Sequence, residues 1–424
     1  MCAREDGGRN RDLLRIVING KESFDVMIVG AGPAGSFAAE KIAHGGARVA
    51  LFDGRPAHEA KACGGGVTSK ALKAWPFLLE AGGRAVTEVE MFSPKGKGVR
   101  LKLDEPFAVY SRCALDSYMR ERARRAGAQI FDGRVSASAE KSAEGHWVVR
   151  ARSGENWIGD VLVAADGANS AIAKRLAGPL PNAEMEVAFG YRTPLNEAND
   201  APTVIAFLPG WAGYAWAFPR LDHISFGIAT AQDTFDHKSL DRMLWDFMVG
   251  YYRVREGDGT TIRMKGDGAP DSRHREVEKQ LRGVADRYAA RIPGLAPETL
   301  DCRRAAGTDW ALLGDAAGFA DPVTGEGIFY ALRSAELFAE AFLAGDVSAY
   351  ESKWRADFGR ELRRASEMRR RFYGDFWGRP FTDRMIEFAR IHPGIRRTLR
   401  ELVAGGQGYL GLKRTLARRA FNPF

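Results

Sequence analysis

Cys63 is followed by three glycines, Gly64, Gly65 and Gly66. A thiol is a weak acid and a nucleophile, and a bare stretch of glycine lets backbone approach a ligand closely. A second group of candidates lies in "GYAWAFP", where Tyr214, Trp216 and Phe218 alternate with Ala215 and Ala217. In a strand the three aromatics share one face and the alanines the other. They form either sheet core or one wall of an apolar pocket. Upstream, "GAGPAG" runs from Gly30 to Gly35, a pattern that seats a pyrophosphate at a helix N-terminus. The four cysteines, Cys2, Cys63, Cys113 and Cys302, make no CxxC pair and the seven histidines no HExxH pair. A disulfide framework and a metal centre therefore lack support, and a reducing cytoplasm is expected.

The elements that would hold these residues are readable in outline. Residues 24–29, "FDVMIV", read as a buried parallel strand. A helix is predicted from Pro33 and Ala34, with Phe37, Ala38, Ile42 and Ala43 at helical spacing, until Gly45 and Gly46 end it. "ARVALF" then closes a βαβ unit of about 30 residues. In it Gly30 permits the tight turn, Gly32 the approach of a pyrophosphate, Gly35 close helix–strand packing, and Asp53 would accept hydrogen bonds from ribose hydroxyls. Residues 54–107 read as an insertion holding the CGGG run, a short helix and two strands. Residues 180–295 read as strands followed by helices near 239–251 and 275–290. The chain returns to βα texture near 310 and is helical, basic and aromatic from about 346.

The expected division is a polar extension (1–22), a nucleotide-binding domain (23–180 and 296–345), a substrate-binding domain on an antiparallel sheet (181–295) and a helical basic region (346–424). From Lys353 onward there are 18 Lys and Arg against 7 Asp and Glu, about +11, so the remainder of a chain of net charge +8 carries about −3. No run approaches the roughly 18 apolar residues that span a bilayer. The tail segment "YLGLKRTLARRAFNPF" either lies in a membrane interface through Leu410, Leu412 and Leu416 or packs back onto the substrate domain. No nucleic-acid motif is present.

The glycine turn does not choose between NAD and FAD. "LVAADGANSAIAKRL", with Asp166 and Gly167, and "LLGDAAGFADPVTGEGI", with Gly314 and Asp315, resemble the DG and GD segments of flavoprotein hydroxylases. That resemblance implies that Asp315 binds the ribityl chain and pyrophosphate of FAD. It also implies that Gly325, Glu326, Gly327 and Ile328 open a helix whose free N–H groups face the flavin pyrimidine ring, and that Arg112 contacts FAD. The CGGG run resembles the CxGG element of the geranylgeranyl reductase family. Tyr214, Trp216, Phe218 and Pro219, followed by Gly227, resemble its YxWxFP segment, with Ala229 where a second glycine is usual.

The resemblance covers about residues 24–345. It implies an α/β chain with the Rossmann-like FAD-binding fold of p-hydroxybenzoate hydroxylase, an inserted α+β substrate domain and a helical C-terminal region. The activity implied is FAD-dependent saturation of isolated C=C bonds in an isoprenoid chain on a lipid, pigment, quinone or diphosphate. Hydride would come from flavin N5, and NADPH or reduced ferredoxin would supply electrons. Cys63, Tyr214 and Trp216 are then the expected catalytic residues. Gly64 and Gly65 join the FAD contacts, and Gly66, Phe218 and Pro219 the substrate contacts. Cys63 is a proton donor, a positioning group or an inert buried thiol, with His223 and Tyr214 as other proton sources. The rival is an FAD monooxygenase or halogenase, whose WxWxIP segment YxWxFP also resembles. An electron-transfer or assembly flavoprotein ranks third.

Overall fold

The computed structural model describes residues 17–18, 21–55, 61–132, 139–195, 201–231, 236–255, 271–375 and 378–421. Most of the expected N-terminal extension, and most of the alternating stretch near "RVSASAE", lie outside them.

The first sheet is the nucleotide-binding layer. Its path runs through 129–132, Val49–Asp53, Lys21–Val29, 156–164, 147–150 and 140–141, with 310–312 pairing alongside 156–164. Val26, Met27, Ile28, Val49, Ala50 and Leu51 are almost wholly buried, as a parallel sheet covered on both faces requires. Helices Pro33–His44, Arg112–Arg125 and Ile328–Leu343 belong to this layer. Gly30 has φ of +107°, and a Cβ there would stand 2.4 Å from the Ala165 carbonyl oxygen. Only glycine satisfies that turn.

The second sheet has the order 286–293, 185–194, 223–231, 213–219, 203–207, 84–92, 98–109 and 66–67. It departs from expectation in two ways. Strands 84–92 and 98–109 are the two strands expected in the insertion over 54–107 within the nucleotide-binding domain, and 203–207 joins 84–92 in parallel. The sheet therefore crosses the expected division at residue 180. The helix expected over 275–290 is Ser272–Val284, after which Asp286–Pro293 is a strand paired with 185–194. Only Tyr288 and Pro293 of that strand are buried, so no period-two pattern marks it in the sequence.

The last helices pack inward. Phe381–Ile391 and Pro393–Val403 bury Met385, Ile386, Ala389 and Leu399 against Val86, Leu101 and Phe107 of the second sheet. Leu412 is buried and Leu416 packs beside it, while Leu410 is exposed. Several tail arginines are held in ion pairs, among them Arg369–Glu186 at 3.1 Å, Arg400–Asp104 at 2.9 Å and Arg419–Glu401 at 2.8 Å. Of the two readings of the tail, packing onto the substrate sheet is the one this arrangement displays. No described helix is long and apolar enough to cross a membrane.

Candidate active site

A cavity of about 1230 Å³ lies between the two sheets and the C-terminal helices. One end is the glycine turn: Gly30, Gly32, Pro33, Ala34, Asp53, Asp166, Gly167, Gly314 and Asp315 line it. Arg112 joins Asp116 in a two-point pair at 3.0 Å, and Lys61 reaches the same carboxylate at 3.2 Å. Burial works against both charges, yet Arg112 and Lys61 hold the Asp116 carboxyl below its usual range. A Cβ on Gly32 would sit 3.2 Å from the Lys61 ammonium and 3.8 Å from Arg112 Nη2. Two cations thus stand over a bare helix N-terminus. Asp315 is raised by burial, opposed by Arg112 and Lys61. Asp53 accepts from the Arg55 backbone N–H at 3.1 Å and lies 3.6 Å from Arg120, which also pairs with Asp132.

The CGGG run borders the middle of the cavity. Gly65 has φ of +81°, donates its N–H to Cys63 Sγ at 3.3 Å and accepts from the Tyr110 N–H at 2.9 Å. Arg112 also hydrogen-bonds the Cys63 side chain. Arg220, 3% exposed, donates from Nη2 to the carbonyls of Cys63 at 2.6 Å and Gly64 at 3.1 Å. Opposite stand Tyr214, Trp216 and Phe218, with neighbouring ring centroids 5.8 and 6.3 Å apart. Their alanine neighbours Ala215 and Ala217 pack under the helix His237–Arg255, so the period-two pattern has one face on core and one on cavity.

Glycine lets the rings of this wall lie close against the sheet. Trp216 pairs across the sheet with Gly227, then Gly190, then Tyr288. A Cβ on Gly227 would meet Trp216 Cζ2 at 2.1 Å, and one on Gly190 the Tyr288 hydroxyl at 2.6 Å. Tyr214 pairs with Ala229, then Ala188, so an alanine suffices in that row. Trp216 Nε1 is buried with no hydrogen-bond partner among the described residues.

These features are matched by sequence comparison. A family model described as an FAD binding domain matches residues 23–208. Geranylgeranyl diphosphate reductase of Synechocystis sp. is 30% identical over 381 residues, 82% of this chain and 85% of that protein. The chain belongs to the geranylgeranyl reductase family of FAD-dependent oxidoreductases. Among solved structures, a geranylgeranyl bacteriochlorophyll reductase-like protein from Thermoplasma acidophilum has a TM-score of 0.67 at 20% identity, covering 94% of this chain and all of that one. The flavin-dependent brominase Bmp2 has a TM-score of 0.65 at 19% identity, covering 95% and 98%. Those two likenesses establish the fold alone.

The cavity of this reductase-family protein gathers Cys63, Gly64, Gly65, Gly66, Tyr214, Trp216, Phe218, Gly325, Glu326, Gly327 and Ile328 beside the glycine turn. Three expected residues are outside its lining. Gly35 packs helix on strand, where a Cβ would meet the Gly30 carbonyl oxygen at 1.9 Å. Pro219 is one residue out of phase with the aromatics and is buried on the strand away from the cavity. His223 sits at the start of its strand, its Nδ1 2.8 Å from Asp222. Lys61, Asp116 and Arg220 went unread in the sequence. Only Asp116 had a usable signal, four residues after Arg112 on one helix.

The residues fit FAD. Two cations stand above Gly32, and Asp53 and Asp315 line the same end.

Proposed function

We propose that this protein saturates isolated carbon–carbon double bonds of an isoprenoid chain, with NADPH or reduced ferredoxin as the electron source. The observation that carries the reading is the meeting, in one cavity, of the CGGG loop, the Asp315 and Gly325–Gly327 loops, and an aromatic wall. FAD, when bound, supplies the hydride that an unactivated alkene needs. Gly30, Gly32, Asp53, Arg112, Asp166 and Asp315 would hold it.

The chain's own residues do the rest. A polyprenyl tail offers nothing to hydrogen-bond, so its binding energy is apolar burial, roughly 25 cal/mol per Å². Tyr214, Trp216 and Phe218 provide that surface and keep water from the reacting bond. The remaining requirement is a proton. Tyr214 is poorly suited, because burial, followed by Glu186, Asp321 and Cys63, raises its pKa and its hydroxyl already donates to the Thr324 carbonyl. His223 does not reach the cavity. Cys63 lines it, with Arg220 holding its carbonyl and Arg112 lining the same cavity. Cys63 is therefore the proton donor in this reading, and Arg112 stabilises the anion left behind.

The test is anaerobic incubation of the reduced FAD-loaded protein with geranylgeranylated compounds, followed by mass spectrometry. A gain of about two mass units per double bond is expected from hydride plus proton. An oxygenated or halogenated product would establish the rival activity instead. Full reduction by Cys63→Ala would remove the thiol from the mechanism.

A further inference from the structure

The cavity's far end, between the Asp321–Gly327 loop and the C-terminal helices, is polar in a way that neither the aromatic wall nor the FAD residues explain. Asp321, Glu326 and Glu361 all line it. Each is engaged at one edge: Asp321 accepts from the Val323 and Thr324 N–H groups, and Thr68 donates to Glu326 at 2.6 Å. Glu361 accepts from the backbone N–H groups of Tyr409 and Leu410. The last contact matters, because Tyr409 begins the helix Tyr409–Phe421. Its positive N-terminus, otherwise attractive to phosphate, already carries a carboxylate. Lys70 faces Glu326, its ammonium 3.6 Å from the Phe329 ring centroid.

Tyrosine hydroxyls complete this end. Tyr214 donates to Thr324 O, Tyr373 to Val323 O at 2.7 Å and Tyr409 to Asp321 at 3.2 Å. Tyr330 differs. It is 3% exposed and lines the cavity, and its hydroxyl has no hydrogen-bond partner among the described residues. After burial, Asp321, Glu326 and Glu361 most oppose its ionisation, which places the hydroxyl among them. The hydroxyl oxygen keeps access to the cavity, so a bound molecule can supply its partner.

We propose that this end receives an uncharged, hydroxyl-bearing head group of the isoprenoid substrate, hydrogen-bonded to Tyr330, and that it disfavours a diphosphate. The proposal rests on the isoprenoid-reductase reading above. A diphosphate would be brought against three carboxylates facing a single lysine. The cavity's other cations include Lys61 and Arg112, which are shared with Asp116 and stand where FAD would be held, Arg192, which pairs with Asp286, and Arg287 and Arg291, which turn to His237 and Asn182. An alcohol, a glycerol ether or a hydroquinone brings the hydroxyl without the charge.

The experiment compares geranylgeraniol with geranylgeranyl diphosphate on the FAD-loaded protein. Equilibrium binding is read by tryptophan fluorescence, and turnover of the reduced protein by product mass. Geranylgeraniol is expected to bind at least about ten-fold more tightly, with Tyr330→Phe weakening it about five-fold and leaving the diphosphate unchanged. Glu326→Gln should strengthen diphosphate binding above about pH 7, where the buried carboxyl has lost its proton. If the diphosphate binds as well as the alcohol, or Tyr330→Phe leaves the alcohol's affinity intact, while either compound is still reduced, the head-group proposal is wrong and the reductase reading stands. If neither compound is bound or reduced, both fall.

Discussion

The two ends of the cavity are built from opposite materials. At the glycine turn, cations and backbone N–H groups converge, and Arg112, Asp116 and Asp315 each lie within or beside a short motif. At the far end, carboxylates and tyrosines converge from segments distant in the chain, with Thr68 meeting Glu326 258 residues later and Asp321 meeting Tyr409 88 residues later. The first end is a local solution to binding a dianionic group, available wherever a strand, a glycine turn and a helix follow one another. The second exists only when the C-terminal helices close onto the second sheet. Cofactor binding therefore draws on short motifs in several segments, each recognisable on its own, and substrate choice is a property of the whole fold.

The largest test of that separation lies where the two regions meet. Gly65 is held at φ +81°, and a Cβ there would stand 2.3 Å from the Tyr110 carbonyl oxygen. Gly65→Ala must displace the loop that carries Cys63. An ångström of misplacement is worth about 100-fold in rate, so single-turnover reduction should fall by about that factor while the βαβ unit keeps most of its FAD affinity. Equal loss of both would make the CGGG loop part of the cofactor site and erase the distinction.

A smaller effect is expected on the aromatic wall. Trp216→Ala empties the space over Gly227, and the loss of one large apolar anchor is worth about 2 kcal/mol, close to 30-fold in chain binding. FAD affinity, measured by flavin fluorescence, should change by less than about two-fold. A parallel drop would mean that the indole N–H is engaged by the cofactor and not by the substrate.

How much of this was legible follows from the same contrast. Gly30, Gly32, Asp53 and the Asp315 segment were readable because glycine turns and strand–helix alternation are local signals, and the structure brings them to one cavity end. The alternation of Tyr214, Trp216 and Phe218 announced a face but not its neighbour. That Gly227 and Gly190 make room for the Trp216 and Tyr288 rings depends on strand register, which the sequence does not display. Arg220 was invisible for the same reason: its role is to hold two carbonyls 157 and 156 residues away. Strands 84–92 and 98–109 looked like an insertion in the nucleotide domain because their partners lie further along the chain. The tail was read through its charge, and its charge is largely spent on ion pairs within the fold.

The smallest effect is a difference in how the two ends respond to pH in the protein without FAD. Asp116, which Arg112 and Lys61 hold below its usual range despite burial, loses its proton more readily in the folded protein than in the unfolded chain. Its stabilisation is complete above the unfolded value and lost as acid titrates the folded carboxyl. Glu326 has the reverse sign: burial pushes it from 4.5 up to about 7, with Thr68 and Lys70 opposing and Asp321 adding. The folded state then keeps a proton that the unfolded chain releases, so its contribution is complete below about 4.5 and fades as pH rises through about 7. Glu186, raised to about 7 by burial with Arg369 opposing, adds to the same limb. Glu326→Gln should therefore reduce the fall in melting temperature between pH 5 and 8 by about 1–3 °C. Asp116→Asn should leave that interval unchanged and flatten only the acid limb. If Glu326→Gln instead altered the acid limb, its carboxyl would be ionised at neutral pH, and the far end would carry more negative charge than burial there allows.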